Sequence, residues 1–322
     1  MTVQTIRGPI TVDDLGMTLS HEHLTAGGPA MDRIPSIYNE DDAYAANIEA
    51  LARAKAAGVQ SMLDLTTMDL GRQVRLFQRI ADADTGVHIV CATGVYRWVP
   101  AYFLGRDPDD IAEFMLGEIN DGIEGTGIRA GIIKLAWDVE YRLADGPLSP
   151  RSALERCARG AARAAKAAGV PISCHTLAAD ELGTPLLDIF EDEGVDLAAV
   201  TIGHSNDSTD LDYLKRIAAR GATLGFDRYG GVRGDEENER RAALAKTLVA
   251  AGYGDQVSLG HDGSPYMRFG SIRPTMLDCW TSVPHHELPW LRAHGLSDEQ
   301  IAGMTQRSIR RTFEAAAAMK RT

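Results

Sequence analysis

Two histidines separated by a single residue, His21-Glu22-His23, open the chemistry of this 322-residue chain. On an extended strand successive side chains alternate, so His21 and His23 face one way and Glu22 the other. Two imidazoles on one strand face suit a divalent first-row metal. The competing reading is a pair of satisfied polar residues at a strand end. Further candidates close other apolar runs: His175 after Pro171-Ile172-Ser173-Cys174, His204 after Ile202-Gly203, and Asp262 after Gly260-His261. Each alone is more often structural. Two histidines from one strand, one from each of two others and a carboxylate at a fourth together form a metal-ligand set.

Lys134 is the odd member, set inside Ile132-Ile133-Lys134-Leu135. A buried ammonium is expensive, and from the strand alone a snorkelling lysine or a buried ion pair explains it. Beside cations the neutral amine becomes accessible. It can then take up CO₂ as an anionic carbamate, whose two oxygens can bridge two metals.

These residues need a scaffold that brings strand ends together. The chain repeats a short apolar run followed by an amphipathic stretch that ends near glycine. The expected pairs of strand and helix are 17–21 with 41–57, 61–65 with 71–83, 88–94 with 109–120, and 131–135 with 150–168. They continue as 171–175 with 182–193, 199–202 with 211–220, 223–226 with 235–251, and 256–259 with a last helix from about Ser297. Short continuous apolar strands alternating with helices indicate a buried parallel sheet. With no glycine-rich phosphate fingerprint, a closed barrel is favoured over an open doubly wound sheet. The expectation is one α/β domain over residues 1–322, a single (β/α)8 TIM barrel preceded by a short extended arm, Val3 to Ile10. In such barrels the catalytic groups sit at the C-terminal ends of the strands, where these candidates fall.

Composition narrows the partners. Lys and Arg number 33 against 45 Asp and Glu, a formal charge of −12, which argues against nucleic acid and anionic membrane surfaces. No run approaches the ~18 consecutive apolar residues of a membrane span. The start, Met1 to Pro9, lacks the apolar core of a secretory signal. Cys91, Cys157, Cys174 and Cys279 are scattered and read as reduced thiols, so a cytoplasmic location is expected.

Taken together, the chain resembles the phosphotriesterase-like branch of the amidohydrolase superfamily, on its lactonase side. The resemblance is carried by Gly8-Pro9-Ile10, Met17-Thr18-Leu19-Ser20-His21-Glu22-His23-Leu24, Ile133-Lys134-Leu135-Ala136 and Gly169 through Thr176. It continues through Ile202-Gly203-His204-Ser205-Asn206-Asp207, Gly225-Phe226-Asp227-Arg228-Tyr229-Gly230 and Gly260-His261-Asp262. These stretches occur in family order over nearly the whole chain. The resemblance implies a (β/α)8 barrel with a binuclear centre, usually zinc, with cobalt, manganese or iron as alternatives. By analogy His21, His23 and Asp262 hold the buried metal, His175 and His204 the exposed one, and carboxylated Lys134 bridges them together with a hydroxide. Asp262 then takes the proton of the attacking group. Tyr96 matches a tyrosine that faces the metals in lactonase-type members, and Arg228 an arginine that lines the lactone pocket. For Arg228 an ion pair with Asp227 or another nearby carboxylate is an equal alternative. Trp98 and Trp137 are candidate walls of an acyl pocket.

The implied activity is hydrolysis of lactones, N-acyl-homoserine lactones among them, or esters, with promiscuous organophosphate triesterase activity, in a homodimer. Alternatives are a dedicated phosphotriesterase, a sugar-lactone or amide hydrolase, or a metal-bound barrel that binds without turnover. The chain departs from the family pattern at Trp137, which is larger than expected, and at Arg307-Ser308-Ile309-Arg310-Arg311-Thr312-Phe313, where relatives tend to carry Asn-Pro. A third departure is the loop 263–284, with Ser264, Tyr266, Arg268 and Arg273. His88, His285, His286 and His294 are expected away from the mouth, His261 alternates away from Asp262, and 230–234 reads as a mobile loop.

Overall fold

The computed structural model describes residues 1–143, 145–230, 234–268 and 276–320. Arg273 and residues 231–233 lie outside the described residues. The chain folds as a single (β/α)8 barrel. Its eight parallel strands are β3 (Thr18–Glu22), β4 (Ser61–Asp64), β5 (His88–Val95), β6 (Ile132–Trp137), β7 (Ile172–Thr176), β8 (Val200–Ile202), β9 (Thr223–Phe226) and β10 (Val257–Leu259). Each pairs in parallel with its sequence neighbour from β3 to β10. Closure between the first and last barrel strands runs through their ends: Asp262 N donates to His21 O at 3.0 Å and His23 N to Gly263 O at 2.9 Å. The helices between strands begin as their sequences dictate. Asn39 caps α1 (Glu40–Ala56) by accepting from Asp42 N, and Ser149, followed by Pro150, caps α4 (Pro150–Ala168), which ends on left-handed Gly169.

The expected arm, Val3 to Ile10, is extended and doubles back on itself within residues 2–11. They form an antiparallel hairpin, β1 (Thr2–Thr5) with β2 (Gly8–Thr11), in which Thr5 pairs with Gly8. Gly8 takes a φ of 101°, a left-handed geometry that a β-branched residue would resist. Val3, Val12 and Leu15 pack with Ile309 and Phe313 of the final helix α10 (Ser308–Met319) against Leu63, Leu65, Val90, Ala92 and Ile132. The N-terminal end of the barrel is therefore apolar.

The period of two carries each strand face from this apolar end to the chemistry at the other. Val90 and Ala92 lead to Gly94 and Tyr96, and Ile132 leads to Lys134, Ala136 and Asp138. Gly94 is registered against Lys134, with a φ of 121°, and a Cβ there would stand 2.0 Å from the Lys134 carbonyl oxygen. Only glycine lets these two strands approach so closely beside the lysine.

Candidate active site at the barrel mouth

His21, His23, Lys134, His175, His204 and Asp262 converge at the C-terminal end of the barrel. All four imidazoles are buried, as is Lys134. Two of the six sit on strained backbone: His204 has φ 59° and Asp262 φ 51°, left-handed conformations in residues with a Cβ. Each terminates a strand there and turns its side chain back over the mouth.

The outer nitrogen of every imidazole is held by an oxygen. Asp227 serves two rings at once: His21 Nδ1 lies 2.7 Å from Oδ2 and His204 Nδ1 2.9 Å from Oδ1, while His204 N also donates to Oδ1 at 2.8 Å. His23 Nδ1 stands 2.9 Å from Thr66 Oγ1, whose hydroxyl donates to Thr25 O. His175 Nε2 lies 2.7 Å from Asp138 Oδ2. Asp138 is itself braced by Arg97, 3.4 Å away, and Glu140 grips the same guanidinium. Burial drives the pKa of His21 down to about 4 and that of His204 well below normal, and it lowers His175 too, so these rings are neutral at pH 7. Hydrogen bonding by His175 holds the Asp138 carboxyl below the usual range.

These partners assign the tautomers. With N–H donated outward, each ring presents a lone pair inward. His204 Nε2 and His175 Nδ1 then face each other at 2.6 Å, acceptor against acceptor, and His23 Nε2 lies 3.2 Å from Asp262 Oδ1. Two lone pairs so close repel each other, and a cation shared between them relieves the repulsion. Lys134 Nζ is fully buried, 3.1 Å from His21 Nε2, and burial lowers its pKa to about 8. Ligand atoms of His21, His204 and Asp262 lie within 4.8 Å of one another, a grouping that joins members of both ligand sets implied by the resemblance. Neutral inward-facing imidazoles, a carboxylate and a buried amine fit divalent metal ions.

Around this cluster, Tyr96 places its hydroxyl 3.4 Å from His175 Nδ1, and burial raises its pKa, leaving the phenol protonated. Arg228 does not pair with Asp227, which is committed to the two histidines. Its NH1 meets Asp207 Oδ2 at 2.6 Å, and its Nε lies 3.5 Å from Asp262 Oδ2. Trp98 stands at the rim, 47% exposed, whereas Trp137 is buried and tilted against Tyr141. Glu22 and His261 face away from the cluster as the alternation requires, bonded to each other at 2.7 Å.

Sequence reasoning missed three carboxylates. Asp227 appeared only as an ion-pair partner for Arg228. Its signal was the small residues around it: a Cβ on Gly225 would meet Asp227 Oδ2 at 2.8 Å, and one on Gly203 at 3.1 Å. Asp138 follows Lys134 by four residues and so shares its face. Asp69 accepts the backbone N–H groups of Tyr96 (2.9 Å) and Trp98 (3.0 Å), and no local pattern announces it.

A (β/α)8 barrel whose strand ends gather imidazoles, a lysine and a carboxylate within ligand distance of one another has the architecture of a metal-assisted hydrolase. Residues 1–313 match the phosphotriesterase family, and the chain belongs to that family of hydrolases. It is 37% identical to a phosphotriesterase homology protein of Mycobacterium tuberculosis, with 97% of each chain covered. It is 34% identical to an aryldialkylphosphatase of Saccharolobus solfataricus, over 93% of this chain and 95% of the relative. An N-acetyltaurine hydrolase of Xenopus tropicalis is 25% identical over 81% of this chain and 83% of its own length. No helix among the described residues is long and apolar enough to cross a membrane.

Proposed function

We propose that the chain is a binuclear metal-dependent hydrolase that opens lactones, including N-acyl-homoserine lactones, and related esters, with organophosphate triesters as side substrates. The observation that carries this reading is the pair of inward lone pairs, His175 Nδ1 and His204 Nε2, 2.6 Å apart, beside buried Lys134. His21, His23 and Asp262 would hold one ion and His175 and His204 the other. Lys134 would bridge them as a carbamate formed with CO₂. Zinc is the first choice, with cobalt, manganese or iron able to substitute. Two bound cations would supply a Lewis acid for the substrate oxygen and acidify water near neutral pH.

The chain's own groups do the rest. Asp262 Oδ2 accepts the proton of the attacking water and is steadied by Arg228 Nε at 3.5 Å. Tyr96, protonated and half-buried beside His175, donates its hydroxyl hydrogen bond to the substrate oxygen nearby. Asp227 and Asp138 fix the tautomer and aim of the imidazoles, which burial keeps neutral. Tyr96 stands by His175 and Arg228 by Asp262, and this pair of donors beside the cluster favours a lactone carbonyl as the group they meet. The name of the Saccharolobus relative supports a triester arm for the screen, and that of the Xenopus relative an amide arm. We further read the chain as one domain, acting as a homodimer in the cytoplasm.

The test is a turnover screen of metal-replete protein on lactones of varied ring size and acyl length, beside a paraoxon-type triester and simple N-acyl amides. Lactone turnover should lead. Triester turnover far above every lactone would overturn the lactone assignment. Metal analysis finding no ion after purification without chelators would overturn the metal centre.

A further inference from the structure

Outside the barrel mouth the described residues hold a second cleft of about 610 Å³, between α7 (Asp235–Ala250) and the segment that leads into α8 (Leu288–Ala293). One wall repeats at helical spacing, Asp235, Asn238, Glu239 and Ala242. The floor is formed by Glu287, which is 2% exposed, and Asn238, at 7%.

Both floor residues present a buried acceptor without a donor. Glu287 Oε1 receives the Ser282 hydroxyl at 3.0 Å, but Glu287 Oε2 has no partner among the described residues. Asn238 Nδ2 donates to Gly230 O at 3.3 Å, while its Oδ1 has no partner among the described residues. Buried acceptors left unmade are costly and uncommon in folded proteins, so two at the floor of one cleft call for a donor. The rim adds the exposed carboxylates of Asp235 and Glu239, while Asp278 is already paired with Arg53 at 2.7 Å. Trp290 supplies an aromatic wall, its ring stacked on His294 at 3.6 Å. Burial pushes the Glu287 carboxyl upward, as befits an acid short of donors.

The geometry points to a second ligand site in this cleft for an organic cation with at least two N–H donors, of the protonated diamine or guanidinium class. Its hydrogens would satisfy Glu287 Oε2 and Asn238 Oδ1, its charge would meet Asp235 and Glu239, and its carbon chain would lie along Trp290. A bare metal ion fits less well. The grouping of His, Cys, Asp and Glu ligand atoms tight enough for an ion, among the described residues, is at the barrel mouth and not here. The inference stands apart from the chemistry proposed for the mouth, since none of these residues touches that cluster.

Calorimetric titration of the metal-loaded, full-length chain with 1,4-diaminobutane tests it, with tetramethylammonium as a cation that has no N–H. The expected result is saturable binding of the diamine and ~10-fold or weaker binding of tetramethylammonium. Glu287→Gln, which turns the free oxygen into a donor, should weaken the diamine by ~10-fold or more. Glu239→Lys, a rim change that does not threaten folding, should weaken it too while hydrolytic turnover stays at the wild-type level. No saturable binding in the millimolar range would overturn the assignment. So would equal affinity for tetramethylammonium, or diamine binding unchanged in both variants. Because binding is read apart from turnover, failure here leaves the hydrolase reading intact, and the reverse also holds.

Discussion

Lys134 Nζ lies 3.1 Å from His21 Nε2, inside a barrel where the lysine is fully buried and makes no ion pair among the described residues. An amine placed there is poorly used as an ammonium and well used as a metal bridge. Lys134→Ala should therefore lower the metal content below the proposed two ions per chain and reduce turnover by ~100-fold or more. Added formate or acetate, which can occupy the vacated space as a bridging carboxylate, should restore part of both. Elemental analysis and turnover with and without the carboxylate decide this. Full metal content in the alanine variant without additive would remove Lys134 from the centre.

Asp227 holds His21 and His204 with its two oxygens, so one substitution loosens two rings. Asp227→Asn keeps the shape but offers an amide N–H to one of two nitrogens that already carry hydrogen, forcing a tautomer change. Metal affinity should fall by ~10- to 100-fold. Competition with a chelator, monitored by the metal retained, measures it. A variant that holds its metal as wild type does would mean that the carboxylate only packs.

Asp69 reaches the mouth through the backbone of Tyr96 and Trp98 and sits 3% exposed beneath them. Asp69→Asn should let this turn drift and lower kcat/KM by ~10-fold. The same loss should appear in Tyr96→Phe, and the double variant should be little worse than either single one. That non-additivity separates positioning of Tyr96 from a general loss of stability, for which the penalties would add.

The barrel and the six mouth residues were legible because both depend on local pattern. Continuous apolar runs identify buried parallel strands, and each candidate ended such a run. Lys134 stood out since a charge within Ile132-Ile133-Leu135 is costly to bury, and the four histidines and Asp262 at the other strand ends gave it a role that the strand alone did not. The carboxylates behind the rings were not legible in the same way. Asp227 contacts His21 across 206 residues, and only strand order brings them together. The hairpin of residues 2–11 was missed for a smaller reason: four-residue strands around Ile6-Arg7 are too short to show alternation, and Gly8 with its φ of 101° makes the turn. The cleft beside α7 went unread because Glu287 looks like any helical glutamate until its burial is known.

Glu193, at the end of α5 (Gly183–Asp192), ties that helix to α4. It accepts from Arg163 Nε at 3.0 Å and from Arg159 NH1 at 2.9 Å, and the Arg163 bond leads in holding its pKa below the ordinary 4.5. A carboxyl lowered on folding contributes stability that is fully present above 4.5 and is lost as pH falls through the lowered folded value, because the unfolded chain takes up the proton first. The pair is partly solvated and the guanidiniums are shared with Asp109 and Asp192, so the contribution is about 1 kcal/mol or less. Glu193→Gln should lower the unfolding free energy from urea titration at neutral pH by that amount, and the difference from wild type should shrink as pH drops below about 4. Both proteins are to be compared metal-free, so that acid release of metal does not enter the difference. A gap between them that stays constant from neutral to acid pH would show that the glutamate acts through packing and not through its charge.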